Sequence, residues 1–174
     1  MSSPNGSVGT PEIGRSPASG NAQMEQLIAR ILADAPLRTH RFHGRPHWDR
    51  VAEFGRRIAA AEDLESRLIT LFAYFHDSKR ENEGIDPDHG PRAADYVLTF
   101  AASELRISPG DRERLAFACR YHTHEEPTDD WTILACWDAD RLDLGRVGIT
   151  PDPDRLHTAT AKMIACRDLR PESR

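Results

Sequence analysis

Leu68-Ile69-Thr70-Leu71-Phe72-Ala73-Tyr74-Phe75-His76-Asp77 is the stretch on which the reading of this chain turns. A run dominated by apolar side chains ends on an imidazole next to a carboxylate. An ionisable pair beside so much hydrophobic surface loses hydration, and it must be compensated by opposite charge, hydrogen bonds or a metal ion. Upstream lies His47, within His43-Gly44-Arg45-Pro46-His47-Trp48; downstream come His89, His122, His124 and Asp140. The chain thus offers an ordered series of His, His-Asp, His, His and Asp, which are imidazole and carboxylate donors suited to a divalent metal.

Working outward from that run, apolar residues recur at the three- and four-residue steps of amphipathic helices. Met24, Leu27, Ile28, Ile31, Leu32 and Ala35 predict a first helix from Asn21, ended by Pro36. A second starts near Pro46, a residue tolerated in a first turn, and places His47, Val51, Phe54, Ile58 and Ala61 on one side. The third is expected from about Leu64 to Asp77, followed by a polar loop, Ser78 to Asp88, in which Gly84 and Pro87 oppose helix continuation. A fourth is expected over Pro91 to Leu105, and a fifth opens at Ser108-Pro109 and delivers His122 at its far end. Asp129 or Asp130 caps a sixth, in which Trp131, Leu134, Ala135, Asp138 and Leu142 share a face and Asp140 lies elsewhere. A closing helix is expected from Asp154 to about Leu169. Period-two alternation long enough for a strand is missing from the sequence, so the fold class is all-α.

Residues 1–20 are rich in Ser, Gly and Pro and are expected to form a flexible tail, leaving 21–174 as a single helical domain. The net charge of -5, with both signs interspersed, gives no basic stripe and argues against a dedicated nucleic-acid surface. Cys119, Cys136 and Cys166 are an odd set without CxxC spacing, so they read as reduced, mostly buried thiols. Trp48, Trp131 and Trp137 read as core packing. Neither a membrane span nor a secretory signal is legible, and a cytoplasmic location is the expectation.

The ordered series resembles the HD superfamily of metal-dependent phosphohydrolases, whose core is a His, an adjacent His-Asp pair and a later Asp. The resemblance covers roughly Arg41 to Leu169. It implies a compact multi-helix fold with His47, His76, Asp77 and Asp140 as metal ligands in the helical core, and it identifies Trp137-Asp138-Ala139-Asp140-Arg141-Leu142 as the helix carrying the last Asp. His89, and either His122 or His124, occupy the region where dinuclear members supply a second ion; His122 is favoured because it falls at the end of a helix. Asp77 would then bridge two ions. Lys79 matches a lysine found shortly after the His-Asp pair in many members, and with Arg80 it would neutralise charge on a phosphate.

Mixed imidazole and carboxylate donors without thiolate suit Mn, Fe, Co, Ni, Zn or Mg, in a site with open positions. The implied reaction is hydrolysis of a phosphoester in a small phosphorylated metabolite, a nucleotide first among them, by metal-activated water, with Asp77, Lys79 and Arg80 at the reacting centre. Glu81 and Glu83 are candidates for a general acid. The competing implications are an HD-type diiron oxygenase and a non-catalytic nucleotide-sensing module. Asp86-Pro87-Asp88-His89-Gly90 is a specific-looking motif for which the general pattern supplies no role.

Overall fold

Among the residues that the computed structural model describes, 17–167, the chain is helical and contains no strand. The helices are α1 (Pro17–Ala33), α2 (Arg45–Glu62), α3 (Ser66–Phe75), α4 (His89–Leu98), α5 (Ala102–Leu105), α6 (Pro109–Tyr121), α7 (Trp131–Leu142) and α8 (Ala159–Arg167). Two 3-10 turns, Asp143–Val147 and Pro153–Arg155, lie between the last two. The all-α expectation holds. No helix among the described residues is long and apolar enough to cross a membrane.

The apolar run forms α3, and it is central because nearly all its side chains are buried, from Leu68 and Ile69 through Leu71 to Phe75. A helix apolar around most of its circumference must be enclosed by others; α3 packs against α1, α2, α4, α6 and α7. Small residues allow the close approaches. A side-chain carbon at Gly55 of α2 would sit 2.4 Å from Ile69 Cγ2, and one at Gly90 of α4 would sit 2.8 Å from the carbonyl oxygens of Cys119 and Arg120 on α6. The first neighbour is the branch methyl of a buried β-branched side chain, and the second is helix backbone, so neither has room to give. Gly90 therefore sets the spacing of α4 and α6, the helices that carry His89 and follow into His122.

Several expected boundaries move. The flexible tail expected over residues 1–20 falls on 1–16 outside the described residues, whereas 17–20 belong to α1. The helix expected over Pro91 to Leu105 is two helices. Thr99 Oγ1 donates to the Tyr96 carbonyl at 2.7 Å, Phe100 turns inward against the rings of Phe75 and Tyr96, and Glu104 Oε2 accepts from the Ala101 N–H at 2.8 Å to start α5. Burial of one aromatic side chain and a new amino-terminal cap thus outweigh the helical periodicity. The closing helix begins at Ala159, five residues after Asp154, because Pro153–Arg155 is a 3-10 turn capped by Asp152.

Ser108 and Asp130 cap α6 and α7 as expected, each accepting from backbone N–H groups of the first turn. Trp48 and Trp137 are buried, and Trp137 Nε1 donates to the Ala118 carbonyl at 2.9 Å, tying α7 to α6. Trp131 departs from the core reading: at 56% exposure it lies at the surface of the first turn of α7. Cys119 and Cys136 are buried free thiols, and Cys166 is exposed.

The fully buried Asp138 joins α7 to the segment entering α8. Its carboxylate accepts from the N–H of His157, the N–H of Thr158 at 2.7 Å and the Thr158 hydroxyl at 2.8 Å. Asp138→Ala leaves those buried donors without partners and is expected to lower stability by about 2–4 kcal/mol. Chemical denaturation measures this; a loss below about 0.5 kcal/mol would show that water or Glu62, which caps Thr160 nearby, takes over the donors.

Candidate metal centre

Four imidazoles converge next to Asp77, each delivered from a different segment and each fixed by its Nδ1 nitrogen. His47, in the first turn of α2, is 2.7 Å from Asp143 Oδ2. His76, at the end of α3, reaches the carbonyls of Ala73 and Phe72 at 3.0 and 3.2 Å. His122, which ends α6, reaches the Cys119 carbonyl at 2.7 Å. His89, which opens α4, is hydrogen-bonded to the Asp86 carbonyl. Carbonyl and carboxylate oxygens only accept, so these Nδ1 atoms carry the protons and the Nε2 atoms present lone pairs.

Those lone pairs face one another. His47 Nε2 lies 3.1 Å from His76 Nε2, and His89 Nε2 lies 2.9 Å from His122 Nε2. Two unprotonated acceptors at hydrogen-bond distance repel unless a cation lies between or beside them, whether a proton or a metal ion. Asp77 divides its carboxylate between the pairs. Oδ2 is 3.7 and 3.9 Å from the Nε2 atoms of His47 and His76, whereas Oδ1 is 3.3 and 3.8 Å from those of His89 and His122.

Two buried groups, His47-His76-Asp77 and Asp77-His89-His122, have donor atoms close enough together to hold a metal ion each. Asp140 adds to the first. Its Oδ1 lies 3.3 Å from His47 Nε2 and 3.7 Å from His76 Nε2, and it is a buried acceptor without a hydrogen bond. An orphaned buried carboxylate oxygen aimed at two imidazole lone pairs fits a cation between them.

The electrostatics agree. Burial pushes the pKa of His76 down to about 3. Burial also disfavours charge on His47, but the nearby Asp140 carboxylate and the hydrogen bond to Asp143 outweigh it and raise the pKa. In the other pair, burial lowers the pKa of His89, while Asp77 and Asp140 overcome burial at His122 and raise it. Each pair therefore combines one imidazole held neutral with one disposed to carry charge. Burial opposes ionisation of Asp77 and Asp140 too, yet the surrounding imidazoles outweigh it and hold both carboxyls well below the usual range.

The site opens into a cavity of about 500 Å³. Arg80 and Arg146 reach its floor, with guanidinium nitrogens 3.9 Å from Asp77 Oδ1 and Asp140 Oδ1 respectively. Both are held in place: Arg80 donates to the carbonyls of Asn82 and Gly84, and Arg146 to those of Phe42 and Asp143. Lys79 is not with them. Its Nζ donates to the Asp34 carbonyl at 3.1 Å and lies 3.6 Å from the centre of the Tyr96 ring, so the phosphate-neutralising place expected for it is not where its charge sits. Glu83 pairs with His40 at 2.7 Å and Glu81 lies 3.6 Å from Arg92; neither lines the cavity. His124 is exposed on the cavity wall, and His122 is the buried member of that pair.

Sequence reasoning missed Arg146 and left His43 and Asp143 without an assigned place. His43 Nδ1 lies 3.4 Å from Asp77 Oδ2. Asp143 orients His47 while accepting from Arg50 Nε at 2.7 Å and Nη2 at 2.9 Å. The Asp86-Pro87-Asp88-His89-Gly90 motif gains a structural account: the Asp86 carboxylate accepts from the Glu81 N–H and from Arg92, its carbonyl fixes His89, and Gly90 admits α6. Of the arginines preceding His47, Arg38 donates to the Ala35 carbonyl, Arg45 pairs with Asp49 and Glu25, and Arg41 lies over Phe42; none lines this cavity.

No family model matches the sequence, and no curated protein matches it. Among solved structures, the chain is similar to the crystal structure of a predicted HD superfamily hydrolase from an uncultured Thermotogales bacterium, with a TM-score of 0.66 and 24% identity over 83% of each chain. That likeness establishes the fold as the HD-type helical fold, in agreement with the resemblance read from the sequence.

If Asp143 acts by fixing the tautomer and direction of His47, Asp143→Ala should weaken divalent-metal binding about 10–100-fold while the helical spectrum is retained. Competition titration against a metal-sensitive dye reads the change. An unchanged affinity would mean that His47 is positioned by packing alone.

Proposed function

We propose that this HD-fold chain is a metal-dependent phosphohydrolase that cleaves a phosphoester of a small metabolite. The observation carrying this reading is Asp77, which turns its two carboxylate oxygens toward two imidazole pairs whose lone pairs face each other. In this proposal His47, His76, Asp77 and Asp140 hold one divalent ion, and Asp77, His89 and His122 hold a second. The donor set contains no thiolate, which suits Mn, Fe, Co, Ni, Zn or Mg. Divalent metal, when bound, would supply Lewis acidity and a water of lowered pKa.

The chain's own residues do the remainder. Arg80 beside Asp77 and Arg146 beside Asp140 orient the phosphoryl oxygens and offset their charge, each held by backbone carbonyls. Histidines with anchored Nδ1 atoms cannot rotate their Nε2 atoms away as the reaction proceeds. A cavity of about 500 Å³ accepts a small molecule and leaves little room for a folded macromolecular substrate. Nucleotides fit the cavity by size, but among the described residues its lining includes no Phe, Tyr or Trp on which a base would stack.

A donor set of this kind also suits two irons, so oxygen activation is the competing reading. Anaerobically purified protein should bind two equivalents of metal. His89→Ala should retain one, and Asp77→Ala should lose tight binding at both places. Phosphate release from a panel of phosphomonoesters should depend on added metal and disappear in Asp77→Ala. Iron-dependent oxygen consumption with no phosphate release under any metal would overturn the hydrolase in favour of the oxygenase, and ligand binding with neither activity would favour a sensing module.

A further inference from the structure

The mouth of the cavity differs in chemistry from its floor, and the contrast bears on what the site takes. The floor holds Arg80, Arg146 and the His-Asp cluster, and the wall above it includes Ile85, Pro87, Leu144 and Val147. Ile85 is 93% exposed. A fully exposed isoleucine on a slack loop would carry little meaning, but this loop is braced on both sides of it. Arg80 Nη2 donates to the Gly84 carbonyl at 2.8 Å, the Gly84 N–H donates to Asn82 Oδ1 at 2.9 Å, and Asp86 is held by the Glu81 N–H and by Arg92. The backbone presents Ile85 to the solvent over the cavity and gives it nothing of the protein to pack against.

The facing wall comes from the 3-10 turn Asp143–Val147. In such a turn, side chains three residues apart eclipse. Asp143 and Arg146 thus share one side and face the metal cluster, and Leu144 and Val147 share another. Leu144 is half-buried and Val147 is 43% exposed, both on the cavity. The remaining cation on the wall, Arg141, is already committed: it pairs with Glu125 and lies 3.3 Å from the Arg155 carbonyl. Apart from Thr123 and the imidazole of His124, the mouth therefore provides apolar surface without a free guanidinium or ammonium, beside a floor that holds two arginines.

We infer that the substrate is a phosphomonoester whose ester oxygen carries an uncharged apolar body, alkyl-like rather than polyhydroxylated or further phosphorylated, held between Ile85 and the Leu144–Val147 wall. This rests on the phosphohydrolase reading and assigns its leaving-group specificity. Beside Ile85 and the Leu144–Val147 wall a second phosphate would meet carbon where it needs a cation, and a sugar would lay its hydroxyls against carbon, whereas a hydrocarbon covers side chains that are otherwise wetted; the polar groups of the lining, Thr123 and His124, lie on a different segment. A methylene buried on both faces contributes about fourfold, and one covered mainly by Ile85 and Val147 about two- to threefold.

The test uses metal-loaded protein and two series of equal chain length, from methyl to hexyl. Alkylphosphonates, which cannot be hydrolysed, are titrated calorimetrically, and the matching alkyl phosphates, ribose 5-phosphate and nucleoside mono- and diphosphates are assayed for phosphate release. Phosphonate affinity and kcat/KM should both rise about two- to threefold per methylene. The slope should fall by more than half in Ile85→Ser and in Val147→Ser, surface changes that the fold tolerates. A flat series, a slope that both variants keep, or a nucleoside diphosphate turned over better than hexyl phosphate would overturn the inference while leaving the hydrolase intact. A rising phosphonate series without release from any phosphate would sink the hydrolase reading and retain the apolar specificity.

Discussion

Asp77 is a carboxylate at the centre of a helical core, only 4% exposed and flanked by five imidazoles, those of His43, His47, His76, His89 and His122. Burying a carboxylate is expensive, and only neighbouring positive charge or hydrogen-bond donors make it stable. Apart from Arg80 at 3.9 Å, the neighbours here are histidines, none of which is obliged to be charged; four of them direct Nδ1 at another acceptor, and His43 turns its Nδ1 toward Asp77 Oδ2 at 3.4 Å. Acceptors still outnumber donors in the cluster: the two oxygens of Asp77, the orphaned Oδ1 of Asp140 and four Nε2 atoms meet only His43 Nδ1 at Asp77 and, at His89 Nε2, Arg80 Nη1 at 3.3 Å and the Thr123 hydroxyl at 3.4 Å. The surrounding architecture follows from holding that excess together.

Each element near the site contributes to this restraint. The apolar run of α3 can be buried on nearly every side, so it carries His76 and Asp77 into the interior where a half-polar helix would have stayed at the surface. Gly90 brings α4 against the backbone of α6, and His89 and His122 consequently meet at 2.9 Å between their Nε2 atoms. Asp143, one residue beyond α7, holds His47 from behind while Arg50 and Arg146 brace it. Asp138 faces away from the site and fastens α7 to the α8 segment, which leaves Asp140, two residues on, directed at the imidazoles of His47 and His76.

The helical class and most helix positions were legible in the sequence because they depend on local spacing, and so was the ordered His and Asp series. The facing of Asp140 was not. Eight consecutive residues of α7, Thr132 through Ala139, are buried, so the helix has no solvent face against which to judge an inner one, and periodicity carries little information there. Lys79 illustrates the opposite limit. It adjoins Asp77 in sequence, yet the turn after α3 sends its side chain to Asp34 and Tyr96. Arg146 stands far from the His-Asp pair in sequence and reaches the floor only because the 3-10 turn folds back beneath α2. The Asp86 to Gly90 motif looked specific for a reason that spacing alone does not reveal: it is a brace, a histidine anchor and a helix contact compressed into five residues.

Charge accounting connects the proposed ions with the proposed substrate. Four neutral imidazoles and the carboxylates of Asp77 and Asp140 contribute about -2 to the cluster, so one divalent ion brings the sum to about zero and two bring it to about +2. Arg80 and Arg146 add to that sum within 3.9 Å of the carboxylates. With both arginines counted, the floor carries about +2 with one ion and about +4 with two, so a phosphomonoester dianion neutralises the first and half of the second, whereas a neutral or singly charged ligand would leave more positive charge stranded in a cavity walled in part by Ile85, Leu144 and Val147. Apolar walls lower the local dielectric and strengthen each of these attractions. The same side chains that would receive a hydrocarbon leaving group thus also sharpen the requirement for a dianion beneath it, which makes the mouth and the floor two parts of one selection.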